Sequence, residues 1–244
     1  MWLRSFVRRF GTKRRQRPDP FLIKRLLVQN ARPVIFDVGA HVGETALRYR
    51  ALFRDAAIHC FEPSPDSFRT LEAAIRSDAG IHAHRAALAD AAGTAVLNVN
   101  RSAATSSLLP TDLAASRYWG EGLLDTRARV EVATRTLDAF CAEHGIPRVD
   151  VLKIDVQGAE YAVLRGAAGL LERAAIDVVY MEMITAPTYV GQRKLHDYLA
   201  LFAEHGYELF DLYNPVRRRD RLIQADALVV SAECLARYEQ ARRR

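Results

Sequence analysis

The feature that most constrains the fold is an apolar strand that leads directly into a glycine turn and a helix. Residues 34–45 read Val-Ile-Phe-Asp-Val-Gly-Ala-His-Val-Gly-Glu-Thr, and Glu62 ends the next apolar run along the chain. Glu62 follows Gly43 by about 20 residues, the offset at which an acidic side chain on a second parallel strand meets ribose hydroxyls. This pairing predicts a doubly wound α/β sheet with an adenosine-binding site.

The spacing of the two glycines indicates a ligand without a phosphate group. Gly39 permits backbone angles and a close approach that a Cβ would prevent, and Gly43 lets the next helix pack closely against the strand. Free amides at the start of that helix favour an anionic group, which is either a pyrophosphate or a carboxylate. His41 stands where the nicotinamide fingerprint has its second glycine, so a pyrophosphate would meet a side chain. S-adenosylmethionine therefore fits this pattern better than a dinucleotide.

Composition and charge indicate one α/β domain with additions at its ends. The chain has 244 residues, of which 50% are hydrophobic, enough for one sizeable core. Residues 1–17 hold seven basic side chains and no acidic one, so the net charge of +6 does not indicate a nucleic-acid-binding surface on the body. The apolar residues among them have helical spacing, which leaves open either peripheral contact with an anionic membrane or a solvated tail. No apolar stretch long enough to span a membrane follows.

Cysteine and histidine spacing gives no indication of a structural metal site. Cys60, Cys141 and Cys234 are odd in number and far apart, which predicts a reducing, cytoplasmic location without structural zinc. His82 and His84 have no further ligands beside them in sequence, which favours an exposed strand face. A leader that contacts a membrane would place the protein at its inner face.

Alternating apolar runs and helical stretches predict the βαβ order of a largely parallel sheet. The predicted strands are residues 34–36, 58–61, 81–85, 149–154 and 178–181. The predicted helices are residues 43–52, 65–77, 137–144, 159–172 and 194–205. Residues 207–213 and 225–231 predict a terminal antiparallel hairpin, joined by a polar connection that contains Asn214 and Pro215.

Domain boundaries follow from these patterns. They divide the chain into a basic leader at 1–20, one domain at 21–235 and a basic tail at 236–244. Residues 93–134 interrupt the alternation, which is typical of a lid or a substrate-binding insertion. Tyr118 and Trp119 in this insertion either offer flat faces to a sugar ring or pin the insertion to the body.

Two carboxylates are predicted to meet at the carboxyl edge of the sheet. The run Leu-Lys-Ile-Asp-Val-Gln-Gly-Ala-Glu at 152–160 delivers Asp155 to the end of one strand, and Glu182 ends the next. A carboxylate there is costly to bury unless its charge is used. Glu160 falls in the first turn of the following helix, where it opposes the helix dipole. The pattern predicts a general base, a metal site or both.

Six motifs in this order resemble the FkbM family of S-adenosylmethionine-dependent methyltransferases. They are residues 37–45, Phe61-Glu62-Pro63, Ala87-Leu88-Ala89-Asp90, Ser106-Ser107-Leu108, Thr136-Leu137-Asp138 and residues 153–160. The resemblance covers roughly residues 34–231. It implies a Rossmann-like, seven-stranded class I methyltransferase sheet, mostly parallel with an antiparallel C-terminal hairpin, and S-adenosylmethionine as the cofactor.

The resemblance also implies roles for individual residues in binding the cofactor. Asp37, Gly39 and Gly43 would surround the methionine moiety, Glu62 would take the ribose, and residues 87–90 would lie beside adenine. The implied cofactor-binding set is Asp37, Gly39, Ala40, His41, Gly43, Glu44, Glu62, Leu88, Asp90 and Asp155. The family implies O-methylation of a hydroxyl on a sugar, glycan or related natural product, so the expected partner is a small-molecule or glycan acceptor.

Asp155 would face the methyl group and is the first candidate for the base that accepts the acceptor's proton. Glu182 is the second candidate, and Glu160 is predicted to orient either of them. A divalent ion that bridges these carboxylates is the alternative, and the sequence does not identify its ligands. The sequence does not indicate an oligomeric state.

Two other functions were weighed against this interpretation. A nucleic acid methyltransferase would place an Asn/Asp-Pro-Pro-Tyr-like loop after the fourth strand, where residues 155–158 read Asp-Val-Gln-Gly. We therefore expect no nucleic acid partner. A non-catalytic binding module with the same fold is the other alternative, although Glu62, Asp155 and Glu182 argue against loss of activity.

Overall fold

A computed structural model of the chain describes residues 18–243. The basic segment 1–17, for which membrane contact and a solvated tail are the two alternatives, lies outside the described residues. Within residues 18–243, no helix combines the length and the apolar character needed to cross a membrane.

Strands and helices alternate along most of the described chain. The helices are α1 (Pro20–Leu27), α2 (Glu44–Leu52), α3 (Pro65–Ile75), α4 (Ser116–Trp119), α5 (Leu137–Glu143), α6 (Glu160–Arg165), α7 (Ala168–Glu172), α8 (Leu195–Glu204) and α9 (Ala232–Arg242). The strands are β1 (Val34–Val38), β2 (Ala57–Phe61), β3 (Ile81–His84), β4 (Ala87–Leu88), β5 (Gly93–Asn100), β6 (Thr126–Arg135), β7 (Val149–Ile154), β8 (Ile176–Ile184), β9 (Tyr207–Arg218) and β10 (Arg221–Ser231).

Seven of these strands form the main sheet, in the order β3-β2-β1-β7-β8-β10-β9. The first five run parallel, whereas β10 is antiparallel to both β8 and β9. The strand order reverses between β1 and β7, and in open α/β sheets ligands bind outside the carboxyl ends of the strands at that point. The predicted class I methyltransferase sheet with its antiparallel hairpin is confirmed.

Each face of the main sheet is covered by its own hydrophobic core. Side chains along a strand alternate between faces, so Phe36 packs with Leu152 on one side and Ile35 with Val151 on the other. Both faces are buried, which is why these strands read as continuous apolar runs in the sequence. The sheet is therefore a rigid platform for the loops at its carboxyl edge.

The predicted helix at 159–172 is in fact two helices. Gly166 ends α6, and a Cβ at this position would lie 2.0 Å from the carbonyl oxygen of Ala89. The Asp138 carboxylate accepts the N–H groups of Gly169 and Leu170, at 2.7 and 2.9 Å. Because these amides start α7, Asp138 caps the second helix and fixes the break between the two.

The terminal hairpin is present, but the predicted connection within it is wrong. The strands continue to Arg218 and from Arg221, so Asn214 and Pro215 lie inside β9. Together these two residues oppose Ala225 in a bulge, because the pairing register shifts there. β9 is the edge strand of the sheet, where a proline without an N–H group leaves no ladder partner unpaired.

The insertion at 93–134 forms a small second sheet that covers the main one. β5 and β6 pair antiparallel, and β4 adds a short parallel strand. The Trp119 Nε1 atom donates to Thr188 Oγ1 at 2.7 Å, and Arg221 donates to the Tyr118 hydroxyl at 3.0 Å. Both aromatic residues thus pin the insertion to the body, the second of the two alternatives.

The two described ends of the chain pack together. Helix α9 begins after Ser231, whose hydroxyl accepts the Cys234 N–H group, and it contacts α1 through Cys234 and Leu27. The boundary predicted after residue 235 falls inside this helix, and Tyr238 beyond it is buried. All three cysteines are unpaired thiols in buried positions.

Candidate active site

The glycine turn after β1 is held against the ends of both neighbouring strands. The N–H groups of Gly39 and Ala40 both donate to the Phe61 carbonyl, each at 3.0 Å. Gly39 has φ 76°, and a Cβ on it would lie 1.9 Å from the Asp155 carbonyl oxygen. Both the positive φ and the lack of space therefore require glycine here.

Gly43 starts α2 with φ 91°, and a Cβ on it would lie 2.9 Å from the Leu71 side chain. The predicted close packing against the strand is wrong in its partner, because the residue that approaches Gly43 lies on helix α3. Gly43 itself faces α3 and does not line the cavity next to the turn.

A buried ion pair lies directly beneath this turn. Lys153 Nζ is 3.0 Å from Asp37 Oδ1 and donates to the Gly39 carbonyl, also at 3.0 Å. Asp37 is fully buried. Burial opposes the charge on the lysine, but Asp37 and Asp155 together raise the pKa of Lys153. Asp37 therefore supports the turn from below and does not reach the methionine position that the resemblance implies.

Glu62 holds the turn from the side. Its carboxylate accepts the N–H group of His41 at 2.8 Å and that of Ser64 at 2.9 Å. Burial raises the pKa of Glu62, and these two amides lower it. Each carboxylate oxygen can accept one more hydrogen bond, which is what two adjacent ribose hydroxyls would supply.

The turn, Glu62 and the end of β7 surround an open cleft, which we call the cofactor cavity, with about 1000 Å³ of empty space. Of the predicted cofactor-binding residues, those that line it are Gly39, Ala40, His41, Glu44, Glu62, Leu88 and Asp155. Asp37 and Gly43 stand behind its wall. Asp90 is exposed and lines a separate hollow beside α6, because the chain turns away after β4.

Asp155 and Glu182 are brought together, as the sequence predicts, by a residue that the sequence did not single out. Gln157 Nε2 donates to Asp155 Oδ1 and to Glu182 Oε2, each at 2.8 Å. The Asp155 side chain is 41% exposed, whereas Glu182 is buried. Burial, followed by the charge of Asp155, raises the pKa of Glu182 well above its usual range.

Glu160 does not orient either carboxylate. Its side chain turns back to accept the N–H groups of Val156 and Gly158, at 3.2 and 3.0 Å, and it is buried. Burial raises its pKa to about 7, while these amides lower it. Glu160 therefore stabilises the loop that follows Asp155, and its carboxyl group caps the N-terminus of α6 by accepting N–H groups that precede the helix.

A second cavity, which we call the lid cavity, adjoins the first. Its walls are Ala104, Thr105, Trp119, Leu123, Leu124, Gln157, Glu182, Ile184, Thr188, Tyr189 and Gln224. Ala104 and Gln157 also line the cofactor cavity, so the two cavities meet at these residues. Among the described residues of its wall, Glu182 is the only charged side chain.

Helix α1 adds a buried lysine that sequence reasoning missed. Lys24 Nζ lies 3.7 Å from the centroid of the Tyr180 ring and 4.1 Å from that of Phe21. Burial, and then the charge of Lys153, lowers its pKa to about 7. The Pro20–Leu27 run after Asp19, which caps the helix, is the sequence signal that could have located α1.

Within residues 18–243, no group of three or more His, Cys, Asp and Glu side chains is arranged to hold a metal ion. Asp155 and Glu182 share the Gln157 amide as their common partner.

Comparison with known proteins identifies the family. A model of the methyltransferase FkbM domain matches residues 37–209. The chain belongs to the FkbM methyltransferase family. It is thus an S-adenosylmethionine-dependent methyltransferase, and the resemblance found in the sequence is confirmed.

Three curated relatives of this methyltransferase are themselves named as methyltransferases. It is 29% identical to the 2-O-methyltransferase NoeI of Sinorhizobium fredii, over 72% of this chain and 73% of that protein. It is 28% identical to the 31-O-demethyl-FK506 methyltransferase FkbM of Streptomyces tacrolimicus, over 75% of each chain. It is 27% identical to the hexuronic acid methyltransferase AglP of Haloferax volcanii, over 64% of this chain and 59% of that protein.

The cofactor cavity fits S-adenosylmethionine on its own features. Gly39 lines the cavity with backbone and no side chain, and free amides at the start of α2 suit a carboxylate. Glu62 retains acceptor capacity for a ribose, and Leu88 offers an apolar wall for adenine. No basic cluster for a phosphate lines the cavity, where Lys153 is its one cationic side chain among the described residues.

We predict that Gly39→Ala destabilises the fold far more than a matched glycine substitution. The added methyl group would overlap the Asp155 carbonyl, and the backbone would be strained, so we expect a loss of at least about 3 kcal/mol in the free energy of unfolding. Gly145 has a similar φ of 62° but open space around it, so Gly145→Ala should cost about 1 kcal/mol. Equal losses by urea unfolding would show that the close approach at Gly39 is unimportant.

We predict that Glu160 makes the fold less stable as the pH rises from about 4.5 to about 7. In this range the folded protein keeps a proton on Glu160 that the unfolded chain releases, because burial raises the folded pKa to about 7. The stabilising contribution of Glu160 is fully present below the pKa of the unfolded chain, and it is lost as the pH rises through the pKa of the folded protein. Glu160→Gln cannot titrate, so the difference in unfolding free energy between the two proteins should vary with pH. A constant difference would contradict the assignment.

Proposed function

We propose that this methyltransferase methylates a hydroxyl oxygen of a sugar, glycan or related natural product. The observation that carries the proposal is the position of Asp155. Its carboxylate is partly exposed, lines the cofactor cavity and accepts a hydrogen bond from the Gln157 side chain. A hydroxyl acceptor needs a group that takes its proton, and Asp155 is the accessible carboxylate that can do so.

The relatives support oxygen as the acceptor atom. Two of the three relatives named above carry an O-methylation position in their names, and the third is named for a hexuronic acid. The two acceptors that these names give are 31-O-demethyl-FK506 and a hexuronic acid. We infer that the acceptor of this chain belongs to the same broad class.

The chain's residues would divide the work of transfer between binding and proton removal. When bound, S-adenosylmethionine supplies a methyl group on a sulfonium centre that is already a good leaving group. Glu62 would accept hydrogen bonds from the ribose, and the amides at the start of α2 would take the carboxylate. Asp155 would accept the proton of the acceptor hydroxyl as the oxygen forms its new bond. Glu182, whose pKa burial raises, is the weaker candidate for this step.

We predict that Asp155→Asn abolishes methyl transfer and leaves cofactor binding nearly unchanged. The amide keeps the size and one hydrogen bond of the carboxylate but cannot accept a proton, which should lower kcat at least about 100-fold. The dissociation constant for S-adenosylhomocysteine, measured by calorimetry, should change less than about threefold. Asp90→Asn is the matched control, because Asp90 is exposed and does not line the cofactor cavity. Turnover near the wild-type rate in Asp155→Asn would exclude this residue as the base.

We predict that Glu62→Gln weakens cofactor binding. The substitution removes the charge that would accept the ribose hydroxyls, and a hydrogen bond to a charged group is worth about 1.5–3 kcal/mol. The dissociation constant for S-adenosylhomocysteine should therefore rise about 10- to 100-fold in calorimetry. An unchanged constant, with an intact fold by circular dichroism, would refute a ribose-binding role.

A further inference from the structure

Gln157 has an unusual backbone for its residue type. Its φ of 57° lies in the left-handed region, where a residue with a Cβ pays a cost that glycine does not. The next residue, Gly158, also has a positive φ, of 93°. Glycine is thus already present where the turn needs conformational freedom, yet the position before it holds a residue with a side chain. A strained side-chain-bearing residue beside a site indicates that the side chain itself is used.

The Gln157 side chain has all of its hydrogen-bonding groups engaged. An amide nitrogen has two N–H groups, and here one goes to Asp155 and one to Glu182. The amide oxygen lies 3.1 Å from the Tyr189 hydroxyl, which also lies 2.9 Å from the Thr105 carbonyl. Gln224 Nε2 also donates to Glu182, at its other oxygen, 2.5 Å away. Since the carboxylate oxygens that face Gln157 can only accept, the amide nitrogen must point toward them, which fixes the amide orientation.

The loop that carries Gln157 is also held from the lid insertion. Ser107 Oγ donates to the Gln157 carbonyl at 2.7 Å. Gln157 lines both the cofactor cavity and the lid cavity, so its side chain stands where these two spaces meet. A molecule in the lid cavity would thus contact Glu182 directly and would reach Asp155 past Gln157.

The lid cavity has the chemistry of a site for uncharged hydroxylated molecules. Glu182 and Gln224 can form hydrogen bonds with hydroxyl groups, and Trp119 supplies an aromatic surface. Within the described part of its wall there is no arginine or lysine to pair with an acidic ligand, although the chain has 35 basic residues. A carboxylate-bearing acceptor would instead face Glu182 and Asp155.

We infer that Gln157 is a positioning residue for methyl transfer, which holds Asp155 at the cofactor cavity and Glu182 at the adjoining lid cavity, and that the lid cavity admits a neutral hydroxylated acceptor. The inference rests on the proposed O-methylation. The charged and titratable groups that also face this pair are Lys153, Asp37, Glu160, Asp226 and Tyr189. Of the groups around the pair, Gln157 is the one that donates to both carboxylates.

Two substitutions separate this role from a structural one. Gln157→Gly relieves the left-handed strain, so the melting temperature should hold or rise while kcat falls about 10- to 100-fold. Gln157→Glu keeps the size but replaces both donors with a third carboxylate, so the rising limb of the kcat pH profile should move to higher pH. Binding of S-adenosylhomocysteine should change less than about threefold in both variants.

Gln192→Leu is the matched control. Gln192 accepts the N–H groups of Thr188 and Tyr189 and donates to two carbonyls of the same segment, so it supports the lid cavity without contacting either carboxylate. This variant should lose stability but keep the wild-type pH profile. Kinetics would use methyl glycosides of neutral hexoses as acceptors, with glucuronate as the acidic comparison, between pH 5.5 and 9. Preferential methylation of glucuronate would overturn the neutral-acceptor assignment.

A readout that needs no acceptor keeps this test independent of the proposed function. Carbon-13 NMR of the Glu182 carboxyl, assigned with Glu182→Gln, follows its titration in the full chain. Loss of the Gln157 donor should move that titration to higher pH, because the donor favours the charged form. An unchanged titration together with unchanged kcat would overturn the role of Gln157. Methylation of no glycoside by the wild type, with a shifted Glu182 titration, would overturn the proposed acceptor class and keep the role of Gln157.

Discussion

The site depends on the buried ion pair between Lys153 and Asp37. The parallel register of β1 and β7 sets these two residues opposite each other, so the pair joins the central strands at the switch point. Neither charge could be buried alone without a large cost, because an unpaired ion in a low-dielectric interior loses its hydration. Lys153 also binds the Gly39 carbonyl, and the Asp155 N–H group binds the Val38 carbonyl. One interaction therefore sets the positions of the glycine turn and of the loop that begins with Asp155.

Most of the fold could be predicted from the sequence, because the signals that define it are local. The strand before Gly39, the glycines themselves and the apolar run before Asp155 each act within a few residues of chain, and the structure has them where expected. The terminal hairpin was found by the same means, but its connection was not, since Asn214 and Pro215 are tolerated in β9 only because that strand lies at the sheet edge. Edge position is a property of the whole sheet and has no local signature.

The candidate site was predicted less completely, because it depends on where side chains point. Asp37 was assigned to the cofactor, yet strand pairing turns it onto Lys153, and Glu160 was assigned to the carboxylates, yet it bonds back to its own loop. In both cases the sequence located the residue correctly and could not supply its partner. Gln157 was within the most diagnostic motif, but the left-handed backbone that reveals its use is visible only in three dimensions.

The two cavities are formed by different parts of the chain, which separates the residues of the cofactor site from most of those around the lid cavity. The cofactor cavity is bounded in part by the ends of β1, β2 and β7, where the Lys153–Asp37 pair and the close approach at Gly39 leave little room for change, and in part by residues of the insertion such as Leu97 and Ser107. The lid cavity is built largely from the insertion at 93–134 and the segment after β8, whose side chains bear no part of that pair. Substitutions there can alter the polarity and shape of an acceptor site without disturbing the ion pair. We therefore expect substitutions in the wall of the lid cavity to change which acceptor is bound, and to leave the Gln157 contacts with Asp155 and Glu182 in place.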